Sequence, residues 1–364
     1  MDTWTHVQEV VTVKLTESLS DWDDHIPFEE LFEGIEETSG LSRTDRYRKI
    51  VDSSLLVPMH IAWNDWRARF GISVLLFYLL MAIVWAPMYD RSYMNAAPKL
   101  VRPFDWSYTQ KVFGVTVWEY PLGTDQFGRP VLQRIVNATP NMIEFIIAGS
   151  VVSIGLAVII GVTAGYKGGT VDDVLMGLTD IFLTIPGLPL VLLIAAVLQP
   201  RDPFIIGMIL AIDNWPGLAR ALRSQVLTIR EASYVEASRT MGISLGSILG
   251  VEIIPQLMPY ILVNAANAGK VVIMEAVGLY FLGFLDSGAA NWGRMLNRAY
   301  EAGAITDLSL LYLIIAPGIA LSLLTFGLIL LAQGLDQIFN PRLRARHSHS
   351  VGGDEEDVEN TADV

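Results

Sequence analysis

The side chains best placed to do chemistry in this chain are polar residues set in an apolar stretch. At 100° per residue, Asn264, Asn267, Lys270 and Glu275 fall within about 140° of one another, on one side of a helix. A charge at the centre of a bilayer costs about 2.5 to 3.5 kcal/mol on insertion scales. If the stretch crosses a membrane, Lys270 and Glu275 should face protein or a water-filled path. They are about 140° apart on an ideal helix, which argues against a direct pair. Lining a path and pairing with other helices stand as equal alternatives.

Other chemistry is largely excluded. Phosphate binding for ATP hydrolysis needs a Gly-rich loop followed by Lys and Ser/Thr. Here Gly269-Lys270 is followed by Val271, and Asn264 stands where the first Gly belongs, so the chain is not a motor. It has no cysteine, which removes disulfides, Cys-based zinc sites, thiol nucleophiles and Cys-ligated clusters together. His347 and His349, two ligands in a tail, read as incidental, so no metal site and no cofactor are expected. Asp125 and Arg129, four apart, suit either a helix-start salt bridge worth about 0.2–0.5 kcal/mol or part of an external docking surface. Asp172 and Asp173 read as a solvated turn. No Ser/His/Asp triad or carboxylate pair stands out.

The elements that must hold these residues are membrane helices. Charged residues are 17% of 364 positions, against about 25% in soluble domains, and mean hydropathy is +0.42, too apolar for a soluble enzyme. Residues 1–40 hold eleven acids against Lys14, and residues 351–364 hold six acids and no base. The net −13 therefore leaves a middle near +3, with none of the strong basic patch a nucleic-acid binder shows. Abundant terminal acid with only six Lys suits a high-salt, halophile-like environment.

A bilayer core needs about 20 apolar residues of helix. The uncharged runs 70–88, 145–166, 181–200 and 308–335 meet that length or come close. Residues 204–219, interrupted by Asp213, and 253–285, containing Lys270 and Glu275, bring the count to six. The expectation is an all-α, polytopic membrane protein with six transmembrane helices. Residues 1–66 lack signal-peptide features and form an acidic, soluble extension. Residues 67–140 hold the first helix and an external loop, 141–340 a core of five helices, and 341–364 an acidic tail. His60 to Phe70 reads either as an interfacial stretch or as an ordinary amphipathic helix. Basic residues after Arg220 and Arg342 favour a cytoplasmic loop at 231–256 and both termini inside the cell membrane. Gly161, Gly165 and Gly169 repeat at helix-packing spacing. Pro186, Pro189 and Pro317 free backbone groups that must be satisfied inside a bundle.

Ser233 to Pro255 reads as two short helices outside the membrane. Ser233 and Glu236 have capping-box spacing. Tyr234 to Met241 should be helical, Gly242 suits a left-handed end, and Ser244 can cap a second helix closed before Pro255.

The same stretch resembles the Glu-Ala-Ala-x-x-x-Gly loop of ABC importer permeases. It runs Glu236-Ala237-Ser238-Arg239-Thr240-Met241-Gly242, with Ile254-Pro255 at the family's Leu-Pro. The surrounding Trp215 to Gly242 resembles the dipeptide/oligopeptide/nickel permease family along its whole length. So do PLGTDQFGRPVLQRI (residues 121–135), LTDIFLTIP (178–186), FLGF (281–284) and NWGRML (291–296), in family order. Tyr120, Pro130, Ser238 and Glu252 depart from the pattern, where the family has His, Asp, Ala and often His.

The resemblance implies a non-catalytic permease subunit of a binding-protein-dependent importer for peptides or a similar small solute. It implies ABC ATPase subunits that bind ATP and Mg, a second homologous permease and an extracellular substrate-binding protein as partners. Ser233, Tyr234, Glu236, Ala237, Gly242 and Pro255 would form the ATPase-coupling loop. Asn264, Asn267, Lys270 and Glu275 are candidates for the path. Gly123, Thr124, Asp125, Gly128 and Arg129 carry the external-loop motif. An ion-coupled secondary transporter using Asp213, Lys270 and Glu275 is the alternative, and it predicts internal repeats that the chain does not show. A membrane-embedded enzyme would need clustered ligands or nucleophiles that are absent.

Overall fold

In the computed structural model, the structure describes residues 65–88, 94–112, 115–285 and 290–339. The acidic extension up to residue 64, the tail 341–364 with His347 and His349, and the start of the His60 to Phe70 stretch lie outside the described residues.

Helix α1 (Trp66–Met88) begins where the Asp65 carboxylate accepts the Arg67 and Ala68 N–H groups, at 2.6 and 3.2 Å, capping it. Between α1 and the next helix lies a hairpin of β1 (Thr109–Val112) and β2 (Val115–Trp118), with Thr109 opposite Trp118. The expectation of six helices contained no strand. Val-Thr-Val-Trp is a β-branched and aromatic run, too short to register in a search for 20-residue apolar spans. Phe104 and Trp106 pack their rings on Trp118 at 5.0 and 4.9 Å.

Helix α2 (Val131–Lys167) has 37 residues, about 55 Å at 1.5 Å per residue, and exceeds a bilayer core of roughly 30 Å. It begins 14 residues before the expected Phe145, so the domain boundary at residue 140 falls inside a helix. The third span is broken. Helices α3 (Gly169–Thr184) and α4 (Gly187–Leu198) meet at 87°, where Ile185 is extended ahead of Pro186, as a residue before proline prefers. The fourth is bent by 55° between α5 (Pro203–Leu210) and α6 (Trp215–Ile229), with Asp213 and Asn214 in the break. There follow α7 (Ser233–Thr240), α8 (Leu245–Phe281, π-helical at Ile248–Ile253), α9 (Trp292–Glu301) and α10 (Tyr312–Phe339). Among the described residues, four helices are long and apolar enough to cross a membrane, and each bent pair supplies one more span if it crosses once. The fold is all-α and polytopic.

Helix α2 is the axis against which α5, α6 and α8 pack, while α1 packs along α10. Gly161 lies against the Ala219 carbonyl and Gly165 against Arg223 and Val226, so α6 approaches closely where a side chain would block it. Gly169 does not extend that seam. It opens α3 at φ +57 and faces open space. One apolar core gathers Tyr78, Met142, Phe145, Ile273, Tyr280 and Trp292. A second gathers Leu222, Val226, Val235, Ile248, Ile253 and Leu257.

Two ion pairs fasten α3 to α6: Asp172 with Arg223, and Asp180 with Arg220. Asp172 therefore corrects the expected solvated turn. It is buried in the first turn of α3 and accepts Arg223 Nε at 3.0 Å, while Asp173 beside it is exposed.

Candidate functional site

The loop between α6 and α8 has one face packed and one face bare. On α7, Val235 is fully buried in the second core and Ser238 is buried beside it, whereas Ser233, Tyr234, Glu236, Ala237 and Thr240 are exposed. Past the helix, Met241 is 71% exposed, and Ile243 and Leu245 also reach solvent. The terminus closes as a Schellman motif: Ile243 N–H bonds the Ser238 carbonyl, Gly242 N–H bonds that of Arg239, and Gly242 sits at φ +75. Arg239 lies over the Tyr166 ring, 5.2 Å from its centroid, tying α7 to the end of α2.

Two local expectations are corrected. The capping box does not form. Ala232 occupies the cap position, Ser233 is the first helical residue, and no side chain caps the helix. Burial of Val235 and Ser238 on one face sets where the helix starts, and this overrides the local Ser233–Glu236 pairing. Nor does a second helix end before Pro255. Ser244 has cap dihedrals without a side-chain bond, and the chain stays helical to Phe281. Pro255, which has no N–H to give, lies two residues past the π-helical turn in the first turn of the α-helical part, where that loss is tolerated.

The four polar residues of α8 separate into local and long-range bonds. Asn264 and Asn267 each donate to the carbonyl four residues back, at 2.8 and 3.2 Å. Lys270 Nζ reaches Asn267 Oδ1 at 3.4 Å, and no carboxylate pairs with it among the described residues. Glu275 instead accepts from Asn214 Nδ2 at 3.3 Å, and Asn214 also donates to Asp213 Oδ1 at 3.1 Å. Glu275 thus joins the break between α5 and α6. All four are half-buried, and Lys270 and Glu275 do not pair with each other.

The motif before α2 is a knot. Asp125 is 2% exposed, and its carboxylate accepts Arg129 Nε at 2.8 Å, Arg134 Nη1 at 2.9 Å and the Phe127 and Arg129 N–H groups. Thr124 Oγ1 donates to the Pro98 carbonyl at 2.6 Å and accepts Val101 N–H at 2.9 Å. Gly123 and Gly128 have positive φ and lie against the Val101 and Ala97 carbonyls, so only glycine fits either place. Of the two expectations for Asp125 and Arg129, the ion pair is present, and it is buried. Phe127 is flanked by the guanidinium groups of Arg129 and Arg298, 4.8 and 5.0 Å from its centroid. Burial, and then Arg129 and Arg294, hold the Arg298 guanidinium below its ordinary value. Tyr120, one of the departures from the family pattern, donates to Glu119 at 2.7 Å. Burial, with that bond, pushes its phenol up to about 12.

Sequence reasoning did not anticipate the role of Asp213 and Asn214 at the break, or the bond from Ser238 to Glu252. Asp213 reads from the sequence as an interruption of an apolar run and as a candidate charge for ion coupling, with nothing to tie it to Gly187 or, through Asn214, to Glu275. Ser238 and Glu252 registered as separate departures 14 positions apart, with no local period to link them.

Comparison with known proteins agrees with this architecture. The family described as binding-protein-dependent transport system inner membrane component matches residues 157–345, which include α6, the loop and α8. The oligopeptide transport system permease protein OppC of Bacillus subtilis is 28% identical over 293 residues, 78% of this chain and 90% of that protein. A putative peptide permease protein of Brucella suis is 30% identical over 288 residues, 76% of this chain and 87% of that one. The nickel transport system permease protein NikC of Escherichia coli K12 is 27% identical over 290 residues, 79% and 98% of the two chains. With half the chain matched by the family and similarity running through nearly the full length of these relatives, the chain belongs to the inner-membrane components of binding-protein-dependent transport systems.

Proposed function

We propose that this chain is one permease subunit of an ATP-driven ABC importer, lining the path for a peptide or similar small solute. It receives mechanical work at residues 231–256 from a separate ATPase subunit that binds ATP and Mg. The carrying observation is the bare face of α7. A short helix seated by Val235 and Ser238 presents Glu236 and Ala237 outward, next to exposed Met241, Ile243 and Leu245. Exposed apolar side chains on a polar rim suit a protein partner. Orientation with this loop and both termini in the cytoplasm accords with the basic residues around it. A second homologous permease would complete the path, and an extracellular binding protein would deliver the solute. Asn264, Asn267, Lys270 and Glu275 are the residues we assign to that path.

Family membership favours this reading over an ion-driven transporter. Reconstitution with the ATPase, second permease and binding protein should give uptake of labelled dipeptides, oligopeptides or nickel that requires ATP inside and withstands ionophores. Uptake that ionophores abolish while ATP is present would contradict it.

A further inference from the structure

The strongest feature that the coupling reading does not use is the junction between α7 and the foot of α8. Ser238 Oγ donates to Glu252 Oε1 at 2.5 Å, and Gln256 Nε2 donates to the Tyr234 hydroxyl at 2.6 Å. Tyr234 and Ser238 are four apart on α7, and Glu252 and Gln256 are four apart on α8. Each pair therefore shares a helix face. The order is reversed between the two helices, so the contact is antiparallel with two polar rungs. Gln256 Nε2 also donates to the Glu252 carbonyl at 2.9 Å, which joins the rungs on the α8 side. Between them Val235 is fully buried against the cluster of Ile248, Ile253 and Leu257.

We propose that Ser238 and Glu252, with Tyr234 and Gln256, form a clasp that makes the coupling helix and the foot of α8 move as one body. Apolar packing around Val235 is not directional, and an eight-residue helix held by it alone could roll. Hydrogen bonds have preferred distances and angles, so two rungs one helical turn apart fix both roll and register. The Ser238 rung is charge-assisted and enclosed, which strengthens it. Glu252 Oε2 is buried with no partner among the described residues, so removing the Ser238 hydroxyl leaves the carboxylate with no side-chain donor. Ser238 supplies the donor of this rung and Glu252 the acceptor. Helix α8 carries Lys270 and Glu275, so a clasped α7 would pass its displacement directly to them. Ser238 and Glu252 are thus positioning residues, and this role rests on the coupling reading above.

The test is amide hydrogen exchange on the full chain in lipid nanodiscs, which requires neither solute nor partner. Ser238→Ala and Glu252→Ala should each speed exchange of residues 235–242 by about ten- to hundredfold, the range for losing a hydrogen bond to a charged group. Exchange across residues 257–273 should not change. Glu252→Gln, which keeps an acceptor oxygen but loses the charge, should fall between wild type and Glu252→Ala and show that fold and volume are not the cause. The double variant should be no faster than either single one, because one rung is lost in each case. Unchanged exchange in both single variants, or a double variant whose effects multiply, would overturn the clasp. Faster exchange in Ser238→Ala together with undiminished ATP-driven uptake in the assembled transporter would support the clasp and overturn its part in coupling.

Discussion

The Asp213 carboxylate occupies the place where a Cβ on Gly187 would stand, so the break in the third span and the break in the fourth lie against each other. Gly187 is the first residue of α4, and Asp213 lies between α5 and α6. Asn214 continues the junction to Glu275 on α8. Three spans therefore meet at polar side chains where two of them are discontinuous, an arrangement tolerated at membrane depth only inside protein or beside water.

That contact predicts a specific loss. Gly187→Ala places a methyl group where the Asp213 carboxylate now lies, and overpacking of this kind costs about 1–3 kcal/mol. The melting temperature in detergent should fall, and adding Asp213→Ala should recover part of the loss. A Gly187→Ala chain that melts like wild type would show that the two breaks do not touch.

Because the chain has no cysteine, single cysteines report cleanly on Lys270 and Glu275. Lys270→Cys and Glu275→Cys should either react with a water-soluble thiol reagent or stay unreactive through burial. Labelling of either position by a probe dissolved in the lipid phase would place that side chain on the outside of the bundle, contrary to the assignment.

The Asp125 knot should be structural. Removing one partner from a buried ion pair costs about 3–5 kcal/mol, because the other charge is left without compensation. Asp125→Ala leaves Arg129 and Arg134 close together, with Arg298 near Phe127. Folded yield and melting temperature should both drop. Normal stability with a loss confined to solute delivery would make Asp125 a docking residue instead.

The isolated, contaminant-free chain should hydrolyse no ATP, since Gly269-Lys270 lacks the rest of a phosphate loop. A malachite-green assay of released phosphate checks this, and turnover that tracks the purified subunit would refute it.

Long-range geometry separates what was legible in the sequence from what was not. The spans were visible because about 20 apolar residues in a row is a local property, and Gly242 was visible because a left-handed helix end selects glycine. The length of α2 was not, because Arg134 and Glu144 interrupt the apolar run inside the helix, and the Asp125 carboxylate that holds Arg134 belongs to the turn before it. The capping box misled because burial of Val235 chose the helix start. Asp172 read as solvated because its partner Arg223 lies 51 residues away. The breaks were half legible. Pro186 marks the first, whereas Asp213 marks the second only once Glu275 and Gly187 are seen beside it.

The central claim is that α7 and its left-handed end form the surface that the ATPase holds. Among the described residues, nothing beyond its chain neighbours lies within 4 Å of where a Cβ on Gly242 would stand, so Gly242→Val acts through backbone strain at φ +75. That strain is worth about 1–3 kcal/mol, enough to fray a helix of eight residues. Glu236→Ala should be milder, because Glu236 is exposed and caps nothing. Neither should prevent insertion, since the spans are held by their own packing. The direct measurement is co-purification of the ATPase subunit with the full-length permease, wild type against Gly242→Val, alongside ATP-driven uptake. The account predicts a folded permease with weak ATPase association and little uptake; undiminished association with normal uptake would contradict it.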